Sequence, residues 1–158
     1  YSADLVASWS DFEAAAPELA ARVRAIFVAR KHHTLATLRK DGSPRVSGIE
    51  VEFRADGHLV LGMMPGSKKA EDVIRDGRIA VQALSDDPPE TDQASWRGDA
   101  KIGGILVVLA PRPEDQPPGT RFGIDILEAV HTHLNDAADA LVIDSWHPGR
   151  GLQTRSRQ

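Results

Sequence analysis

The residues best placed to do chemistry are Gly66-Ser67-Lys68-Lys69-Ala70, where an extended run hands over to a short helix and two ammonium groups are presented together. The run before them, His58-Leu59-Val60-Leu61-Gly62-Met63, is too short for a free-standing helix and puts Leu59, Leu61 and Met63 on one strand face. Ser67 reads as an N-cap, and Ala70, Val73 and Ile74 as the buried side of the following helix. Gly77 closes that helix as a C′ residue before the next apolar run, Ile79-Ala80-Val81. Unpaired N–H groups and the positive end of the helix dipole then point to the same place as Lys68 and Lys69, an arrangement that holds a phosphate. The dipole contributes only about 0.3–1 kcal/mol at an exposed site, so the lysines carry most of the attraction. The same run also fits a capped surface helix with two solvated lysines.

The elements around this turn follow from apolar spacing and turn chemistry. Ser10 with Glu13 reads as a capping box, and Pro17 suits the first position of a second helix with Leu19, Val23, Ile26 and Phe27 on one stripe. Beyond Arg30 the period changes to that of strands. His33 to Arg39 and Pro44 to Phe53 are joined by a hairpin turn at Asp41-Gly42, with Ile49, Val51 and Phe53 facing one way and Glu50 and Glu52 the other. A turn at Asp56-Gly57 leads into the third strand, and Arg78 to Leu84 is the fourth. Ala100 to Ala110, Ile124 to Leu134 and Ala140 to Trp146 supply three more. Ser85 to Ser95 and Pro111 to Thr120 read as mobile loops. The pattern predicts a mainly β protein, one antiparallel barrel domain over 1–158. It has a helical segment over 1–30, about seven strands over 31–148 and a tail over 149–158 that is either a frayed end or a basic arm.

Composition narrows the function classes. With 158 residues and no cysteine, the chain can bury a core but has no disulfide, thiolate metal site or cysteine nucleophile. A net charge of -4 and a pI near 5.8 argue against general affinity for nucleic acid or an anionic membrane. No apolar run reaches membrane-spanning length and no signal pattern opens the chain, so a soluble cytoplasmic protein is expected. Numbering starts at Tyr1, which leaves room for earlier residues.

Other chemistry-bearing residues give weaker patterns. His131 and His133 share a strand face but have no evident third ligand, and His32 and His33 diverge, so no metal site is expected. Glu50 and Glu52 read as a solvated strand face, and Trp96, Trp146 and Met63-Met64 either as core or as surfaces for stacking on a flat ring. There is no nucleophile elbow and no P-loop. No residue is assigned as a catalytic acid, base or nucleophile. An anion-binding helix start beside apolar strands, without such a group, points to chemistry borrowed from a cofactor.

Arg45-Val46-Ser47, the Gly66 to Ala70 turn, Arg78 and Trp146-His147-Pro148-Gly149 together resemble the pyridoxamine 5′-phosphate oxidase-like FMN-binding split barrels. More narrowly, they are similar to the actinobacterial branch using FMN or the deazaflavin coenzyme F-420. The resemblance runs from about Arg30 to Arg150. It implies a homodimer with the cofactor in the groove between subunits. Lys68, Lys69 and Ser67 would hold the phosphate, and Arg45, Val46 and Ser47 with Gly62, Met63 and Met64 would line the ring. Trp146 and Arg150 would close the site from the other subunit, with Ser85 to Ser95 as a lid. Gly62 suits a close approach of the ring, having no side chain. Glu50 and Glu52 stand where the oxidase proper has a phosphate-binding lysine, and its terminal arginine-histidine motif is absent. The chain is therefore expected not to make pyridoxal phosphate, since a carboxylate repels what an ammonium attracts.

The reading is an oxidoreductase that moves a hydride between FMN, or the deazaflavin, and a small organic substrate. Two alternatives stand beside it: a cofactor-binding sensor without turnover, and a haem-binding barrel with His33, His131 or His133 as axial ligand.

Overall fold

The computed structural model describes residues 6–158. Two helices lead into the sheet. The first, α1 (Trp9–Ala15), is capped by Ser8, whose hydroxyl accepts from the Asp11 N–H at 3.1 Å while Asp11 accepts in return from the Ser8 N–H. The capping box is thus Ser8 with Asp11, two residues before the expected pair. That phase turns Trp9 and Phe12 inward and leaves Ser10 to donate its N–H to the Gly57 carbonyl. Pro17 opens α2 (Pro17–Val28), as the sequence predicts, and Leu19, Val23, Ile26 and Phe27 are its buried stripe.

Nine strands follow: β1 (His33–Leu38), β2 (Pro44–Ile49), β3 (Val51–Phe53), β4 (Leu59–Met63), β5 (Arg78–Ala83), β6 (Asp99–Val108), β7 (Thr120–Leu134), β8 (Leu141–His147) and β9 (Gly151–Arg157). A third helix, α3 (Lys68–Arg75), joins β4 to β5, and a 3₁₀ segment, Glu90–Ser95, precedes β6. All pairings are antiparallel, in the order β2-β1-β5-β6-β7-β4-β3, with β8 on the far half of β7 and β9 outside β8.

Two differences from the expected seven strands matter. The run from Pro44 to Phe53 is broken at Glu50, so that β2 pairs with β1 while β3 pairs with β4 at the opposite end of the sheet. The hydrogen-bond ladder therefore stays open, and the chain itself bridges the gap. This is the split of a split barrel. Secondly, the residues expected to be a frayed end or a basic arm form β9, paired with β8 from Leu141–Arg157 to His147–Gly151.

Leu35, Leu61, Val81, Ile102, Phe122 and Ile126 of the strands form one buried core with Phe12, Leu19, Val23 and Phe27 of the two helices. Gly77 follows α3 as expected, but its reason is closeness and not a left-handed backbone. A Cβ there would stand 2.7 Å from the Leu106 carbonyl oxygen, and the Gly77 carbonyl accepts from the Leu106 N–H. No helix among the described residues is long and apolar enough to cross a membrane.

Candidate functional site

The helix start behaves as its sequence dictates. Ser67 sits in extended geometry, its hydroxyl oxygen accepts from the Ala70 N–H, and its carbonyl accepts from the Glu71 N–H. The N–H groups of Lys68 and Lys69 have no carbonyl one turn back to meet. The two lysines then part company. Lys69 reaches across the split and donates to the Gly48 carbonyl at 2.7 Å, whereas Lys68 turns outward to Glu71 at 3.5 Å and is largely exposed.

The helix is fixed by Asp72, a carboxylate only 2% exposed. It accepts from the Thr37 hydroxyl and the Arg45 Nε, both at 2.7 Å, and from Arg75 at 2.9 Å. Burial pushes this carboxyl up, but the bonds from Arg45, Thr37 and Arg75 outweigh it and hold it at about 2. Arg75 also caps the Leu38 carbonyl, so α3 is pinned to β1 and β2. Ile74, expected in the core, is 69% exposed, and Ala70, Asp72 and Val73 form the buried side.

A pocket of about 620 Å³ opens at the split. One wall is the broken strand from Gly48 to Glu52, another is Val60, Gly62 and Met63 of β4, and Ser67 and Lys69 stand at one edge. Gln116, Pro117 and Pro118 form the third wall. They belong to the segment read as a mobile loop, which is instead tied down. The buried Arg54 donates to Asp115 at 2.8 Å, and the Arg112 N–H binds the same carboxylate. That N–H holds the Asp115 carboxyl below the usual range against the effect of burial, with the Arg54 charge adding to it. The other loop, Ser85 to Ser95, carries the 3₁₀ segment and does not line the pocket.

Arg121 is a pocket residue the sequence reading missed. It lies on β7 directly across from Gly62, is 9% exposed, lines the pocket and donates to the Pro117 carbonyl at 2.7 Å. A Cβ on Gly62 would sit 3.2 Å from its guanidinium, so the room left by that glycine is used by Arg121. Its only sequence signal is a cation at the head of an apolar run, and the β4–β7 register that gives it meaning is not visible there.

Of the residues expected at the site, Ser67, Lys69, Gly62, Met63 and Met64 line the pocket, Met63 being 3% and Met64 73% exposed. Arg45 is committed to Asp72, Val46 is 70% exposed on β2, and Ser47 is half-buried outside the pocket lining. Trp146 is in the core of its own chain against Phe12, with ring centroids 5.0 Å apart, and so is not free to reach a partner's site. Arg150 borders a separate hollow with Arg78, Glu128 and His147. Glu50 and Glu52 stand at the pocket, where Glu50 is paired with Lys31 and His32 and Glu52 with Arg54. His131 and His133 meet a third residue, Asp144, away from the pocket.

The open nine-stranded antiparallel sheet, its peripheral helices and the pocket at its split make this a split-barrel fold. Solved structures share it. PhzG from Burkholderia lata 383, in complex with tetrahydrophenazine-1-carboxylic acid, superposes with a TM-score of 0.63 at 14% identity, over 90% of this chain and 91% of that one. A pyridoxamine 5′-phosphate oxidase-related FMN-binding protein from Nostoc punctiforme PCC 73102 gives 0.58 at 12% identity, over 93% and 97%. A haem-binding protein from Mycobacterium smegmatis gives 0.50 at 12% identity, over 85% and 86%. No family model and no curated protein matches the sequence.

Proposed function

We propose that this chain binds a phosphorylated flavin-type cofactor in the split pocket and works as an oxidoreductase on a small organic substrate. The observation that carries the reading is the convergence of Ser67, Lys69 and the buried Arg121 on one pocket. Arg121 is held by a single carbonyl, which leaves guanidinium N–H groups for the oxygens of a phosphate. Lys69, anchored through Gly48, adds a second charge, and the free N–H groups of the helix start add donors of fixed direction.

When bound, the flavin ring supplies the hydride chemistry. The chain contributes orientation and exclusion of water: Ile49, Val51, Val60 and Met63 give apolar wall, and Pro117 and Pro118 are held in place by the Arg54 to Asp115 contact. The FMN-binding protein from Nostoc punctiforme shares the fold, which supports FMN as the cofactor. His33 and His131 are buried, and neither they nor His133 line the pocket, which favours a flavin over haem.

The site is completed in a cytoplasmic homodimer, with the pocket at the subunit interface. The exposed apolar Met64 at the pocket and Val46, two residues from Gly48, support such a cover. The test is a parallel fluorescence titration of cofactor-free protein with FMN and with coenzyme F-420. FMN is expected to bind the more tightly, and Lys69→Ala to weaken it by about 1.5–3 kcal/mol. Failure of FMN to bind the wild-type chain overturns the reading. Binding without turnover across a substrate screen would leave a sensor module in its place.

A further inference from the structure

His131 and His133 lie two apart on β7, so both side chains leave the same face of the strand. The β7–β8 register sets Asp144 directly opposite His131. One ligand-type atom from each of the three lies within 4.8 Å of the other two. Each imidazole is tied to a backbone carbonyl: His131 through Nε2 to Arg97 at 2.7 Å, and His133 through Nδ1 to Leu134 at 3.0 Å. A carbonyl only accepts, so those nitrogens carry the hydrogens. In the neutral rings the lone pairs are then on Nδ1 of His131 and Nε2 of His133.

The His131 lone pair is unpartnered, and that of His133 faces an acceptor. His131 is 5% exposed and its Nδ1 has no hydrogen-bond partner. The Nε2 of His133 faces the Asp144 Oδ2 at 2.9 Å, a lone pair against a carboxylate oxygen unless a proton or a metal ion lies between them. The carboxylate is 6% exposed and oriented by the Thr154 hydroxyl at 2.7 Å, while Arg22 donates to Oδ2 at 3.0 Å.

We propose that His131, His133 and Asp144 form a binding site for one divalent transition-metal ion of the zinc type. Imidazoles whose remote N–H is fixed by a carbonyl, beside a carboxylate fixed by a hydroxyl, are the usual surroundings of such an ion. Two nitrogens and an oxygen suit zinc and its neighbours, and not calcium or magnesium, which take oxygen ligands. The two rings are stacked with centroids 4.6 Å apart, so they present their nitrogens side by side. Arg22 is the cation now on Asp144. Its side chain is 42% exposed, so it can withdraw to solvent as the metal takes the carboxylate. The ion would join β7 to β8 and, through Thr154, to β9.

The test is a titration of the chelator-treated full chain with Co²⁺, followed by displacement with Zn²⁺. One ion per chain, the visible absorption of tetrahedral cobalt and a Zn²⁺-dependent rise in melting temperature are expected. His133→Gln should abolish the absorption. Arg22→Ala removes the competing cation from a partly exposed position and should tighten Zn²⁺ binding by about tenfold. Absence of stoichiometric uptake by both the wild type and a folded Arg22→Ala variant would overturn the proposal and leave the cluster a protonated ion pair.

Discussion

Lys68 and Lys69 are neighbours in sequence with opposite surroundings, and that contrast gives the sharpest residue-level test. Lys69 is drawn to Gly48 at the pocket and Lys68 to Glu71 on the outside. Lys68→Ala is therefore expected to leave the FMN dissociation constant within about twofold, because an exposed pair of this kind contributes little. Arg121→Gln should weaken FMN by roughly tenfold or more, the loss of a charged hydrogen bond to phosphate. Isothermal titration of the two variants side by side checks both. The cap and helix start were legible because Ser67, Lys68 and Lys69 are contiguous, but that Lys68 turns away from the pocket was not. Arg121 and Gly62 are 59 positions apart in the numbering and meet only through the pairing of β4 with β7, which local sequence does not encode.

At the scale of elements, α3 depends on a carboxylate inside its own anchoring surface. Asp72→Asn keeps the shape but removes the charge that Arg45 and Arg75 address. A loss of about 1.5–3 kcal/mol is expected in urea unfolding of the variant. The acid dependence follows from the same contacts. The folded Asp72 carboxyl is held at about 2, below its ordinary 3.8, so its stabilisation is complete above about pH 4 and is lost as pH falls towards 2. Asp76 is held at about 2 as well, chiefly by Arg78, so the wild type loses stability from both. The melting temperature of Asp72→Asn should consequently fall less than that of the wild type between about pH 4 and pH 2. The sequence pattern located α3 and its cap but placed Ile74 inside and passed over Asp72. A periodicity of apolar residues does not register a buried ion whose partners, Thr37 and Arg45, come from other strands.

The molecule as a whole is closed by its backbone at Glu50, with the two ends of the sheet belonging to one continuous run of chain. Turn spacing made an antiparallel barrel legible. The split was not, because Ile49, Val51 and Phe53 keep an unbroken alternation while their pairing partner changes from β1 to β4. The same limit hid β9: Gly151 to Arg157 has almost no apolar residue, and only pairing with β8 makes it a strand. If the pocket lies at a subunit interface, sedimentation equilibrium should give twice the 17.1 kDa chain mass, and Met64→Lys should shift it towards monomer. The outermost position of β9 has a further effect. Among the described residues its second edge pairs with no strand, so its N–H and C=O groups can accept a strand from another chain. Arg155 and Arg157 are exposed along this strand, and their like charges repel the same strand of a second copy. Replacing both arginines, which lie in the segment expected to be a frayed end or a basic arm, by valine should remove that repulsion and raise light scattering on gentle warming before any loss of barrel signal.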